Sequence, residues 1–175
     1  MEDLTTLHSI KSVFRVWISI SSCAAFVGFF VIGYNRNRSK KWLNIGLVMF
    51  MQAFVSAFIG VGIYGRWENK LRQAFYHYLN SGNLIVSICD KNTNQEEQLD
   101  VIRELKATRP LPQHRSGPRE PLYIAISSSI QNSIVILRKD SQYSDEFWVY
   151  WYTQQYGENE MGRIRTNYFD SVRCD

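Results

Sequence analysis

Two stretches decide how this chain is read: Val16–Tyr34, VWISISSCAAFVGFFVIGY, and Leu43–Gly65, LNIGLVMFMQAFVSAFIGVGIYG. Neither contains a charged residue. A helix needs about 20 apolar residues to cross a hydrocarbon core of about 30 Å, and both runs reach that length. The first extends back to Val13 if Arg15 snorkels to the surface. Core helices of soluble domains are usually shorter and carry charge on one face. Aromatic residues stand at all four ends: Trp17, Tyr34, Trp42, and Tyr64 with Trp67. Amphipathic rings favour the head-group region, so their placement matches two spans, about 14–34 and 43–65. A cleaved signal peptide fits less well. The first run exceeds a usual h-region, and no small-x-small cleavage site precedes the polar segment that follows.

Small residues repeat at four-residue spacing in both runs. Ser21 with Ala25 and Ala24 with Gly28 do so in the first; Ala53 with Ala57 and Ser56 with Gly60 do so in the second. In lipid such pairs let helix backbones approach closely. The connection of about eight residues permits only an antiparallel hairpin, with Ala24, Gly28, Ala53, Ala57 and Gly60 as its packing residues. The same stripes are compatible with a homodimer.

Charge is divided along the chain. Residues 1–67 hold seven cations against Glu2 and Asp3, while residues 68–175 hold 13 cations against 14 acids. The positive excess within the net charge of +4 therefore lies on residues 1–67, around the apolar runs, where cations meet lipid head groups. A nucleic-acid binder carries its positive excess on the folded domain instead, so direct nucleic-acid binding is not expected. The partners expected are the lipid bilayer and a protein in or near it. The segment Asn35-Arg-Asn-Arg-Ser-Lys-Lys41 packs four cations into seven residues. The positive-inside rule keeps such a segment in the cytoplasm and puts both termini outside. Five cations on the outer flanks (Lys11, Arg15, Arg66, Lys70, Arg72) pull the other way.

Beyond Glu68 the pattern is that of a soluble α+β domain. Leu71, Phe75, Tyr78 and Leu79 recur at helical spacing before Asn80-Ser-Gly-Asn83, which reads as a stop. Leu84–Cys89 is a short apolar run, the signature of a buried strand. Thr93 and Glu96 have the spacing of a capping box, opening a helix whose buried face is Leu99, Ile102 and Leu105 and which Pro110 ends. Pro110–Pro121 holds all four prolines and reads as a loop. Strands follow at Leu122–Ser128, Ser133–Arg138 and Phe147–Thr153, with Gly157–Gly162 turning the chain into a fourth at Arg163–Phe169. The expected fold is a two-helix transmembrane hairpin (1–67), a connecting helix (68–83) and a small domain (84–175) with an antiparallel sheet in β-α-β-β-β order.

Catalytic and metal patterns are weak. His8, His77 and His114 lie apart from one another and from the cysteines, which defeats short zinc motifs. Ser127-Ser-Ser129 has no G-x-S-x-G frame and no histidine after it, and there is no glycine-rich phosphate loop. No catalytic residue, metal or cofactor is therefore expected. Cys23 lies within a span. Cys89 and Cys174 share the C-terminal domain and are placed to pair if it faces an oxidising compartment; a buried thiol and a terminal thiol are the alternative. The segment Phe147-Trp-Val-Tyr-Trp-Tyr152 alternates two aromatic sets. In a strand, Trp148, Tyr150 and Tyr152 point to one side and Phe147, Val149 and Trp151 to the other. One set must be core; the first is the candidate interaction surface. This layout suits a non-catalytic inner-membrane protein that works by contact: a factor for superinfection exclusion, for exclusion of incoming DNA, or for immunity. An accessory or assembly subunit of a membrane complex, or a membrane-tethered ligand sensor, would share it.

Overall fold

The computed structural model describes residues 4–89, 91–110, 116–129 and 131–172. Its elements are α1 (Leu4–Asn35), α2 (Lys40–Leu79), β1 (Ile85–Ile88), β2 (Lys91–Asn92), α3 (Gln95–Lys106), β3 (Pro118–Ser127), β4 (Asn132–Asp140), β5 (Glu146–Thr153), β6 (Gly157–Arg165) and a 3-10 turn at Tyr168–Ser171. They divide into two compact units, Met1–Lys70 and Leu71–Asp175.

The first unit is the helix pair. Each helix contains an 18-residue window of mean hydropathy 2.0, of which only 11% in α1 and 17% in α2 is buried. A soluble core helix of that hydropathy would be mostly buried, whereas here Val13, Phe26, Phe58 and Val61 lie open. Both helices are long and apolar enough to cross a membrane. The chain reverses in one tight turn, closed by Arg38 N–H and Ser39 N–H donating to the Asn35 carbonyl. At the helix seam, a Cβ on Gly28 would stand 2.7 Å from the Gly46 carbonyl oxygen, and one on Gly46 2.8 Å from that of Gly28. The two backbones meet there, and only glycine on both sides permits it.

The second unit is an α+β layer. Its antiparallel sheet runs β2-β1-β3-β4-β5-β6, with β2 a two-residue edge. Cross-strand pairing puts Val86, Ile126 and Ile124 in register with Ser133 and Val135, and Leu137 with Val149. With Phe147 and Trp151 they form one face, and all are buried. Leu71, Phe75, Tyr78 and Leu79 of α2 and Val101 and Leu105 of α3 complete the core. Phase decides which side is covered: the Phe75 and Tyr78 rings lie 5.5 and 5.9 Å from Trp151. The Tyr78 hydroxyl donates to the Ile126 carbonyl at 2.7 Å, tying α2 to the end of β3.

Several expectations shift by a residue or more. The capping box is Asn94 with Glu97, each side chain accepting from the other's backbone N–H. Thr93 is not available, because its hydroxyl and its N–H both donate to the Val86 carbonyl. The buried stripe of the helix also differs from the expected one. Val101 and Leu105 are buried and Ile102 half-buried, whereas Leu99 is 59% exposed. The hairpin after β5 turns at Gln154–Tyr156, so the polar stretch Gly157–Gly162 is strand and not turn. Tyr156 N–H donates to the Thr153 hydroxyl, and Gly157 leaves the turn at φ +70°. An outermost strand tolerates polar side chains, which is why its pattern resembled a loop. The proline-rich segment is strand from Pro118 onward, with a register shift before Pro121; residues 111–115, with His114, lie outside the described residues.

Beyond β6 the backbone of Arg109 forms one further bridge, exchanging two 2.9 Å hydrogen bonds with Arg163. Gly162, at φ +142°, makes room for it: a Cβ there would stand 2.4 Å from the Arg109 oxygen. Gly162→Ala should therefore cost at least about 1–3 kcal/mol. Gly157→Ala, with open space around its Cβ, should cost less. Denaturant midpoints of the detergent-solubilised chain check the order; equal losses would refute the close-approach account.

Candidate interaction face of the sheet

The helices cover one side of the sheet; the other is open around Tyr123, Ile134 and Tyr152 and buried at Ile136, Glu146 and Arg163. On that open side the register aligns Tyr123, Ile136 and Tyr150 in one row, and Ala125, Ile134 and Tyr152 in the next. Arg138, Trp148 and Arg163 form a third row. Tyr123 is 50% exposed, Tyr152 41% and Ile134 36%, and Ile85 of β1 joins them. All three aromatic residues expected at a candidate surface lie on this side, and the alternate set Phe147, Val149 and Trp151 is core.

The three do not have equal freedom. The Arg163 guanidinium lies 3.9 Å from the Trp148 ring centroid, and the indole N–H donates to Asp140 Oδ2 at 2.7 Å. Trp148 is thus clamped on its face and at its edge. Arg138 stacks 5.0 Å from the Tyr150 centroid and pairs with Glu158 at 3.1 Å. Burial, and then the nearby Glu160, push the Tyr150 phenol above its usual pKa, against the pull of Arg138. Tyr152 stands at the open end of the same strand.

Two buried carboxylates hold the clamped end. Asp140 accepts from the Ser116 hydroxyl at 2.6 Å, from the Trp148 indole, and from the N–H groups of Gln142 and Tyr143 at 2.8 and 3.1 Å. Burial alone would raise its pKa, but these donors hold the carboxyl well below the ordinary range. Glu146 is fully buried and pairs with Arg163 and with Arg165, each at 3.2 Å. Neither carboxylate nor the flanking Arg163 was singled out by sequence pattern, because their partners come from separate strands. Tyr123, Ile85 and Ile134 were missed for the same reason: strand order decides that they join Tyr152.

The helix-packing residues are also placed. Gly28 meets Gly46, which sequence spacing did not single out, and Gly60 faces the Phe14 ring at 2.8 Å from its would-be Cβ. Ala24 and Ala53 are half-buried, while Ala57 is exposed. Ser21 donates to the Ser56 hydroxyl at 3.1 Å, and the Trp17 indole donates to the same oxygen at 3.1 Å. Among the cysteines, Cys89 is disulfide-bonded and Cys23 carries a free thiol; Cys174 lies outside the described residues. His8 stacks on Trp67 at 5.3 Å.

A comparison of the chain with known protein families, with curated proteins and with solved structures finds no match.

The Asp140 cluster predicts a pH dependence. A carboxyl whose folded pKa is depressed adds stability above its unfolded pKa of about 3.9, and loses it as pH falls through the folded value. Asp140→Asn removes the charge and should cost about 2–3 kcal/mol at pH 7. The gap from wild type should narrow between pH 4 and pH 2. Denaturant titrations at pH 7, 4 and 2.5 measure it; a gap that stays constant would show that the charge is not what Asp140 contributes.

Proposed function

We propose that this is a non-catalytic integral membrane protein that acts by contact through the open face of its sheet. We read it as an exclusion or immunity factor, held in a bacterial inner membrane by α1 and α2. The observation that carries the reading is the pairing of two features. The helix surfaces are apolar yet uncovered, which suits lipid. On the side of the sheet away from the helices, Ile85, Tyr123, Ile134 and Tyr152 are exposed, while Ile136, Glu146 and Arg163 are buried. Aromatic residues and arginine are enriched where binding energy concentrates, and an interference factor needs no more than a recognition surface held at the right place.

Two observations support an extracytoplasmic position for the sheet unit. The four-cation turn favours the cytoplasm, and a two-span hairpin with its turn there has both its termini outside. The disulfide at Cys89 favours an oxidising compartment, since cytosolic thiols are kept reduced. A thiol count tests this. Protein taken from acid-quenched cells and denatured without reductant should react with one maleimide, at Cys23, and with three after reduction. Three reactive thiols before reduction would overturn the placement.

Function is tested on exposed residues, not on the clamped Trp148, whose loss would disturb Asp140. Tyr152→Lys and Tyr123→Lys should each lower exclusion of conjugating plasmid or superinfecting phage by about tenfold or more at unchanged membrane levels. Leu99→Lys, on an exposed part of α3 away from the face, should leave exclusion intact. Full exclusion by the Tyr152–Tyr123 double variant would reject the face; no exclusion by wild type would reject the role.

A further inference from the structure

We infer that the turn between α1 and α2 is a binding surface for anionic phospholipid head groups. The inference rests on the membrane reading above but concerns a different part of the chain. Arg36, Arg38, Lys40 and Lys41 are all exposed there. None makes an ion pair among the described residues. No acid is present to make one: from Leu4 to Trp67 the chain contains no Asp or Glu.

The surroundings fix the depth of this charge. Tyr34 ends the apolar part of α1 and Trp42 begins that of α2, and both rings are more than half exposed. Such rings sit at head-group level, so the four cations between them lie at the depth of the phosphates. Arg38 is already turned to that level. Its guanidinium lies 4.5 Å from the Tyr34 ring centroid and donates to the Tyr34 hydroxyl at 2.6 Å. The stacking holds the side chain beside the ring and leaves most of its five N–H donors for phosphate oxygens. A dense cationic cluster next to a span draws anionic lipid, each added charge multiplying the preference by about fivefold. Zwitterionic head groups offer no net charge to match, so the expected ligand is a lipid of net negative charge, with phosphatidylglycerol as the probe.

The experiment uses the full chain. Purified protein in a neutral detergent receives equimolar phosphatidylglycerol and phosphatidylcholine, and retained lipid is counted by native mass spectrometry. Wild type should retain phosphatidylglycerol over phosphatidylcholine by tenfold or more. A variant with Arg36, Arg38, Lys40 and Lys41 all changed to Gln should lose that preference, and pairwise variants should fall between. Equal retention of the two lipids by wild type, or an undiminished preference in the fourfold variant, would overturn the inference. Displacement of the lipid by 10 mM inorganic phosphate would overturn it in favour of a free-anion site. Carbonate extraction of membranes separates this from the reading beneath it. Release of wild type into the supernatant defeats the membrane reading itself, whereas retention without lipid preference defeats only the inference.

Discussion

The sheet unit depends on the phase of β5. Trp151 must lie under Phe75 and Tyr78, and that contact fixes every other side chain of the strand by strict alternation. Phe147 and Val149 go inward with it; Glu146, Trp148, Tyr150 and Tyr152 go to the other side. A slip of one residue would expose a tryptophan and a phenylalanine and press Trp148 against the helices, away from Arg163. Because β5 lies between β4 and β6, the phase then passes to both neighbours through Trp148 opposite Arg138 and Arg163.

Sequence pattern revealed composition, periodicity and order along the chain, and failed where a residue's role is set by a distant strand. The uncharged runs, the α+β layout and the aromatic alternation were all readable locally. The capping position was not, since choosing between Thr93 and Asn94 requires knowing that the Val86 carbonyl has claimed Thr93. The α3 face is likewise set by packing: its buried stripe runs through Val101 and Leu105, four residues apart, and Leu99 lies off it. Gly157–Gly162 looked like a turn because its first four residues are glycine or polar, and the buried apolar residues of β6, Met161 and Ile164, come only toward its end. Gly46 escaped notice because its partner, Gly28, is 18 positions away, and only the antiparallel alignment of α1 and α2 makes them neighbours.

The buried charges beside the open face bear on its rigidity. Burying Glu146 with Arg163 is costly in desolvation, and such pairs often contribute little net stability. What the pair does provide is a fixed guanidinium plane, on which Trp148 rests at 3.9 Å. Asp140 fixes the other edge of the same indole. One end of the face is therefore rigid before any contact is made. Ordering a side chain on binding costs about 0.5–1.5 kcal/mol, so a pre-held tryptophan adds binding surface without that loss, while Tyr152 and Tyr123 at the free end remain able to adjust.

A sheet can be recognised along its edge or on its face, and this one is arranged for the second. An edge binds by adding a strand, which needs a run of unpaired backbone groups. At β6 the Arg109 bridge already covers the stretch around Arg163, and Gly162 exists in a conformation that admits it. The remaining stretch exposes Glu158 and Glu160, and charge at an edge discourages an incoming strand. The opposite edge, β2, is only two residues long, too short to template pairing. With both edges blunted, the apolar surface left for a partner is the face bounded by Ile85, Tyr123, Ile134 and Tyr152. A partner bound there would meet side chains, and its selection would rest on aromatic shape and on the Arg138–Glu158 pair beside them, not on backbone hydrogen bonds that any extended peptide would satisfy.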